Sequence, residues 1–259
     1  MVQERRNAIL QALETNKRVK VVELSRKLKC SEVTIRNDIK QLEQEGLLKR
    51  THGGAVSTKT EQKPEERKYA AESIYRNVEQ KKAIAACAYE FIEDGDTIIL
   101  DDASSSFYLA LYIKEHHEKQ IAVVTNSLLI GNELAYTKHV ELYMIGGNVG
   151  GKLAATMGDV TVHNIHQFHV DKGFIGVHSI NFQVGLTSIA TMQMQVKRAI
   201  IDVSEEMFVL ADSSKFGNGY VSVIGPISKV DKIITDNKIE EKYIEMAKQE
   251  EVELVVAEI

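Results

Sequence analysis

Hydrophobic positions recur at helical spacing in the first part of the chain and give way to short continuous apolar runs further on. Val2, Ile9, Leu10 and Leu13, with Arg5, Arg6 and Glu14 between them, predict a first helix to about Asn16. After the polar Asn16-Lys17-Arg18, the spacing of Val21, Leu24 and Leu28 predicts a short second helix. Lys29-Cys30 then makes a tight turn. Ser31 suits the N-cap of a third helix, because its hydroxyl accepts from a free backbone N–H. That helix is expected to run to about Glu45 and to stop at Gly46. At about 100° per residue, Ile35, Ile39 and Leu42 share a stripe that must be buried. The opposite face carries Asn37, Lys40, Gln41 and Gln44, flanked by Arg36, with Val33 at its start. Residues 47–51 predict a strand, and residues 52–56 a turn and return, in which Gly53-Gly54 permits positive φ.

Residues 57–63 are polar and end at Pro64, so they read as a connection between domains. A helix is predicted over 65–76. Beyond it, helices (83–92, 104–117, 128–136, 188–207, 238–249) alternate with apolar strands (97–100, 121–125, 140–145, 170–177, 208–211, 232–235, 253–256). Continuous apolar strands separated by helices predict a mostly parallel three-layer α/β/α sheet.

Charge changes the picture. The net charge of −5 divides into +5 over residues 1–58 and −10 over the remainder, so one end suits a polyanion and the other does not. With 44% hydrophobic residues a sizeable core is expected. Cys30 and Cys87 are the two cysteines and form no CxxC pair, which excludes a disulfide framework and a thiolate metal site. No apolar run approaches the roughly 20 residues of a membrane span. The amphipathic N-terminus argues against export, and a soluble cytoplasmic protein is expected.

In a parallel sheet, ligands bind at the carboxyl ends of the strands. The residues there are Asp101-Asp102-Ala103-Ser104-Ser105-Ser106, Thr125-Asn126-Ser127, Gly146-Gly147-Asn148, Gly176 and Asp212-Ser213-Ser214-Lys215. Three serines at a helix N-terminus suit a phosphate, Lys215 suits an anion, and Asp101, Asn126 and Asp212 suit sugar hydroxyls. Helix caps explain any one segment, but their repetition favours a site for a small polyhydroxy anion. Two other patterns carry less. Residues 146–152 fit GxxxxGK, but Leu153 replaces the Ser/Thr of a P-loop. His163, His166 and His169 recur every third residue without an HExxH partner, and no metal is expected there.

Two short helices, a turn, a capped helix and a basic hairpin stand in the order of a winged helix-turn-helix. The run Thr34-Ile35-Arg36-Asn37-Asp38-Ile39, followed by Arg50-Thr51-His52-Gly53-Gly54-Ala55, strongly resembles the DeoR family of bacterial transcriptional regulators, whose signature is a TIRxDL helix and a wing ending in HGGA. The resemblance continues through Asp101, Ser104 and Ser105; Thr125 and Asn126; Gly146 and Gly147; Asp171, Lys172 and Gly176; Gly185 and Thr187; and Asp212, Ser214 and Lys215. It implies a winged helix-turn-helix (1–57), a linker and connecting helix (58–75), and a sensing and oligomerisation domain (76–259). That last domain is implied to share a fold with ribose-5-phosphate isomerase and CoA transferases. The implied function is a repressor of a carbohydrate-metabolism operon, released from operator DNA by a phosphorylated sugar.

DNA contacts are then expected from Ser31, Val33, Thr34, Arg36, Asn37, Lys40, Gln41, Lys49, Arg50 and His52. Effector contacts are expected from Asp101, Ser104, Ser105, Ser106, Thr125, Asn126, Gly146, Gly147, Asp171, Lys172, Gly176, Asp212 and Lys215. No cofactor and no catalysis are expected, and the partners are double-stranded DNA, the effector and further copies in a dimer or tetramer. Ala103 stands where relatives commonly have glycine, which puts the phosphate loop's backbone in question. Gln193 and Gln195 lie where an acid is frequent, and an amide cannot relay a proton. The alternative reading is an isomerase-like enzyme with a DNA-binding appendage.

Overall fold

The computed structural model describes the chain apart from residues 1–4, 7, 10–11, 14–17, 29, 45–47, 52, 58–72, 151–152, 190 and 218. The chain falls into two compact units, Met1–Arg67 and Lys68–Ile259.

In the first unit residues 5–6, 8–9 and 12–13 are helical. They are followed by β1 (Arg18–Lys20), α1 (Val21–Lys27), α2 (Glu32–Gln44), β2 (Leu48–Thr51) and β3 (Gly54–Ser57). Ile35, Ile39 and Leu42 of α2 are buried with Ile9, Leu13, Leu24, Leu48 and Ala55, so the unit has its own core. The Ser31 hydroxyl accepts the Thr34 N–H at 3.2 Å and caps α2. The hairpin β2–β3 gains a third antiparallel strand, β1, which the pattern did not signal because it is three residues long and two of them are cationic. Gly54 serves differently from the expectation, since it is not among the positive-φ glycines of the described residues. Gly54 is needed for proximity: a Cβ there would lie 1.8 Å from the Val19 carbonyl oxygen.

The second unit is built on a sheet of strands β4 (Thr97–Leu100), β5 (Ile121–Thr125), β6 (Val140–Met144), β9 (Val170–Gly176), β12 (Ser204–Leu210), β14 (Lys232–Asp236) and β15 (Glu253–Ala257). All its pairings are parallel, in the order β15-β14-β12-β9-β4-β5-β6. Helices α3 (Val78–Glu90), α4 (Ser104–Glu115) and α5 (Leu128–Leu134) cover one face. On the other lie α6 (Asp159–Ile165), α7 (Thr191–Val203) and α8 (Glu241–Gln249). Alternate strand residues serve the two cores: Ile98 and Leu100 pack towards α3 and α4, Ile99 towards α7. This is the three-layer α/β/α arrangement expected.

One reading is corrected. The helix expected over 188–207 is divided, because Ser188 ends β11 (Gly185–Ser188) and β12 begins at Ser204 directly after α7. A small antiparallel sheet of β10 (Ser179–Asn181), β11 and β13 (Ser222–Gly225) was not anticipated. The GxxxxGK stretch contains β7 (Asn148–Gly150), paired antiparallel with β8 (Ala155–Met157), so it is not the strand–loop–helix of a nucleotide site. Its Lys152 lies outside the described residues, as do residues 65–72 of the predicted connecting helix.

Candidate functional site

Chain order along the sheet reverses between β4 and β9: β5 and β6 follow β4 outwards on one side, and β12, β14 and β15 follow β9 on the other. Crevices at such a switch point, at the carboxyl ends of parallel strands, are the ligand sites of open α/β sheets. Asp101 directly follows β4 and Gly176 ends β9, and the Gly176 N–H donates to Asp101 Oδ2 at 3.0 Å.

Asp101 is fully buried (0% exposed) and saturated. Besides Gly176 it accepts from the Ala103 N–H at 3.0 Å, the Ser106 hydroxyl and the Lys197 ammonium. Lys197 projects from α7, is 3% exposed, and also stands 4.0 Å from Asp102 Oδ1. Burial works against the Lys197 charge, yet the two carboxylates hold its pKa above the usual lysine value. Burial pushes the Asp102 carboxyl up, Lys197 pulls it back, and Asp101 adds to the rise. Gln193 Nε2 donates to Asp102 Oδ2 at 2.9 Å. An acid at 193 would place two carboxyls in contact, whereas the amide is a neutral donor at every pH.

Lys197, Asp102 and Gln193 were not assigned as site residues from sequence, since the sequence alone does not tell a buried lysine from one facing solvent. Ala103 settles into ordinary extended backbone (φ −73, ψ 152), so the departure from glycine costs no strain. Its methyl fills space against Gly176, where an added Cβ would lie 2.3 Å away.

Around this centre the sheet edge gathers most of the expected residues. Ser104, Ser105 and Ser106 form the first turn of α4, and the hydroxyls of Ser104 and Ser105 have no hydrogen bond among the described residues. Asn126 is 2% exposed; its Nδ2 donates to the Thr156 carbonyl at 2.9 Å and its Oδ1 has no partner among the described residues. The Thr125 hydroxyl is committed to the Leu100 carbonyl at 2.8 Å, which makes it a structural tie. Gly147 has φ 152 and lies so close to Thr161 that a Cβ would sit 2.0 Å from its Oγ1, while the Gly146 carbonyl accepts from that hydroxyl at 3.2 Å.

Asp212 caps the turn Ser213–Lys215, accepting from the Ser214 N–H at 3.1 Å, from the Ser214 hydroxyl and from Asn77 Nδ2 at 3.0 Å. The Lys215 ammonium is half-buried and has no partner among the described residues. Burial pushes the nearby Lys81 ammonium down to about 8, against the pull of Asp212.

Asp171 and Lys172 are not brought to this edge. They lie near the amino end of β9, about 13–17 Å along the strand from Gly176 at the usual rise. There Lys172 Nζ pairs with Asp96 Oδ2 at 2.7 Å, and Asp171 Oδ2 accepts the Thr97 N–H at 2.7 Å. Their role is to fasten β9 to the start of β4. The regularly spaced histidines lie elsewhere, with His169 on Glu205 at 2.8 Å and His166 4.0 Å from Asp202.

In the first unit, α2 exposes Val33 (67%), Arg36, Asn37 and Lys40, with Thr34 and Gln41 half-buried beside them. Amides and cations are the groups that pair with adenine and guanine edges, and an apolar side chain suits the thymine methyl. Ser31 is exposed, but its hydroxyl is engaged with Thr34. Arg36 pairs with Glu32 at 3.1 Å. Glu43 binds the wing by accepting the Arg50 N–H at 2.9 Å and lies 3.8 Å from the Arg50 guanidinium. Between helix and wing lies a cleft of about 430 Å³ lined by Val21, Arg36, Ile39, Arg50, Thr51, Gly53 and Gly54. His52 and the side chain of Lys49 lie outside the described residues.

Comparison with known proteins agrees with both units. Residues 5–61 match the DeoR-like helix-turn-helix domain, and residues 76–237 match the DeoR C terminal sensor domain. The chain is 34% identical to the transcriptional regulator GolR of Listeria innocua over 91% of each chain. It is 30% identical to the putative aga operon transcriptional repressor of Escherichia coli O157:H7, over 98% of this chain and 93% of that one. Among solved structures, ribose 5-phosphate isomerase A of Methanocaldococcus jannaschii is similar over 54% of this chain and 55% of that one, at 16% identity and a TM-score of 0.41. A recognition helix with its wing, followed by a parallel-sheet unit with a polar switch point, accords with these matches: the chain belongs to the DeoR family of DNA-binding transcriptional regulators.

Proposed function

We propose that this regulator represses a carbohydrate-metabolism operon and is released from its operator when its second unit binds a phosphorylated sugar. The supporting observation is the chemistry gathered at one sheet edge. Asn126 Oδ1 is a buried acceptor without a partner among the described residues, which suits a sugar hydroxyl. Lys215 and the first turn of the twelve-residue helix α4 offer a cation, two serine hydroxyls and free N–H groups, which suit a phosphate. Asp101, held by Lys197, Ser106 and two backbone N–H groups, is the rigid floor between them. Gly146, Gly147, Gly176 and Asp212 complete the rim. The relatives' names support the biological role, as they include the aga operon repressor and a glycerol-3-phosphate regulon repressor.

On the DNA side, Asn37, Lys40, Gln41 and Val33 read base edges, while Arg36, Arg50 and the wing meet phosphates. One winged helix makes few contacts, so the working species binds two half-sites as a dimer or tetramer in the cytoplasm.

Fluorescence anisotropy on DNA upstream of the protein's own gene, with and without a panel of sugar phosphates, tests the proposal. Tight, salt-sensitive binding released by one sugar phosphate is expected. The Ser105→Ala/Lys215→Ala protein should bind DNA unchanged and ignore that compound; a normal response would rule the pocket out. An isomerase reading is favoured only by the raised Asp102 carboxyl next to Lys197. Steady turnover of ribose 5-phosphate by the purified protein would favour that reading, and binding without turnover would count against it.

A further inference from the structure

The chain enters its second unit through residues 73–77, and three side chains hold this short segment. Lys81, 3% exposed, donates from Nζ to the carbonyls of Ser73 at 2.5 Å and Arg76 at 2.7 Å. The Tyr108 hydroxyl donates to the Ile74 carbonyl at 3.2 Å. Asn77 donates from Nδ2 to Asp212 Oδ1 at 3.0 Å and to the Ser214 hydroxyl at 3.4 Å, across 135 residues of sequence in the first case.

Two of these three ties end on the elements that open the candidate site. Tyr108 lies one turn into α4, whose first turn is Ser104–Ser106, and Asp212 caps the turn that carries Lys215. The third tie, Lys81, comes from α3, the helix that residues 73–77 lead into.

Asn77 forgoes a local bond to make its contact. It occupies the N-cap of α3, where an asparagine ordinarily bonds its own helix, yet its side chain makes no cap bond. It also holds left-handed backbone, φ 53 and ψ 46, which asparagine adopts more readily than most residues with a side chain. In place of a cap bond, the amide of Asn77 has the carboxylate of Asp212 as its partner.

We propose that residues 73–77 are a latch controlled by the effector site, with the Asn77–Asp212 bond as its catch. An anion seated between the first turn of α4 and Lys215 recruits the Ser214 hydroxyl and repels the Asp212 carboxylate. Asp212 then loses its place opposite the Asn77 amide, and the segment leading to the DNA-binding unit is freed. The closed latch is the DNA-competent state. The inference rests on the effector reading above and adds to it how occupancy is passed along the chain.

Asn77→Gly separates the two ideas, because glycine accepts the left-handed backbone and lacks the amide. DNA affinity of this variant, with no sugar phosphate present, should fall about tenfold, the worth of one hydrogen bond to a charged group. Addition of glucose 6-phosphate or glycerol 3-phosphate should produce little further release. Tyr108→Phe, which removes only the Ile74 tie, should move affinity in the same direction by a smaller factor. Amide exchange at residues 73–77 should be faster in Asn77→Gly than in the parent protein.

Parent-like DNA affinity in a folded Asn77→Gly, or unchanged exchange at residues 73–77, would overturn the latch. If Asn77→Gly fails to fold, parent-like affinity in Tyr108→Phe does so. If Asn77→Gly weakens DNA binding while neither sugar phosphate binds the parent, the latch stands and the choice of effector falls.

Discussion

Replacing Lys197 by methionine removes the one ammonium among the described residues that faces Asp101 and Asp102, which are 0% and 4% exposed. What remains around the two carboxylates is the Gln193 amide, the Ser106 hydroxyl and the N–H groups of Ala103 and Gly176. Removing one partner of a buried ion pair costs about 3–5 kcal/mol, since the other charge stays buried without compensation. A domain has only about 5–15 kcal/mol in total. With a urea slope of about 2 kcal/mol per molar, the unfolding midpoint of the second unit should fall by about 2 M at pH 8.

The loss must depend on pH. Asp102 already has a folded-state pKa above its unfolded value, so its contribution to stability is present at low pH and lost as pH rises through the folded pKa. Lys197 is what restrains that pKa, and without it the value climbs further. The deficit of Lys197→Met should therefore be clearly smaller at pH 5.5 than at pH 8. Adding Asp102→Asn, which halves the orphaned charge, should recover a large part of the loss at pH 8. Urea unfolding of the three proteins at both pH values is the assay. An equal deficit at both pH values, with no recovery in the double variant, would refute the account of this centre as a buried charge balance.

Gly54→Ala should unfold the three-stranded sheet of the first unit and abolish DNA binding, while thermal unfolding of the second unit is unchanged; over-packing of this kind costs about 1–3 kcal/mol or more. Arg50→Gln should weaken binding to all DNA sequences alike and lower the slope of log affinity against log salt by about 1, whereas a change of sequence preference would show that Arg50 reads bases. Lys172→Gln should lower stability by about 1–3 kcal/mol in urea unfolding through loss of the Asp96 tie and leave the sugar-phosphate response intact. A lost response would return Lys172 to the effector site.

The strands Thr97–Leu100 and Ile121–Thr125 were legible because each is a continuous apolar run bounded by polar loops. The recognition helix was legible from its Ser31 cap and its Ile35, Ile39 and Leu42 stripe. Strands β1, β7, β8 and β10 have three residues each, too few to show a period of two. The α7–β12 junction was missed because Val203-Ser204 carries no glycine or proline to mark it. Asp171 and Lys172 were placed with Gly176 because a motif lists neighbours in sequence, and a strand carries its two ends to opposite edges of a sheet. Lys197 was passed over because only packing distinguishes a lysine that balances two buried acids from one in solvent.

The contact between Ala103 and Gly176 ties together two positions seventy-odd places apart in the chain. One methyl group fits between the ends of β4 and β9, and here residue 103 supplies it. A relative with glycine at the position of Ala103 has room for alanine at the position of Gly176; this chain does not. A double exchange, Ala103→Gly with Gly176→Ala, should be tolerated far better than Gly176→Ala alone.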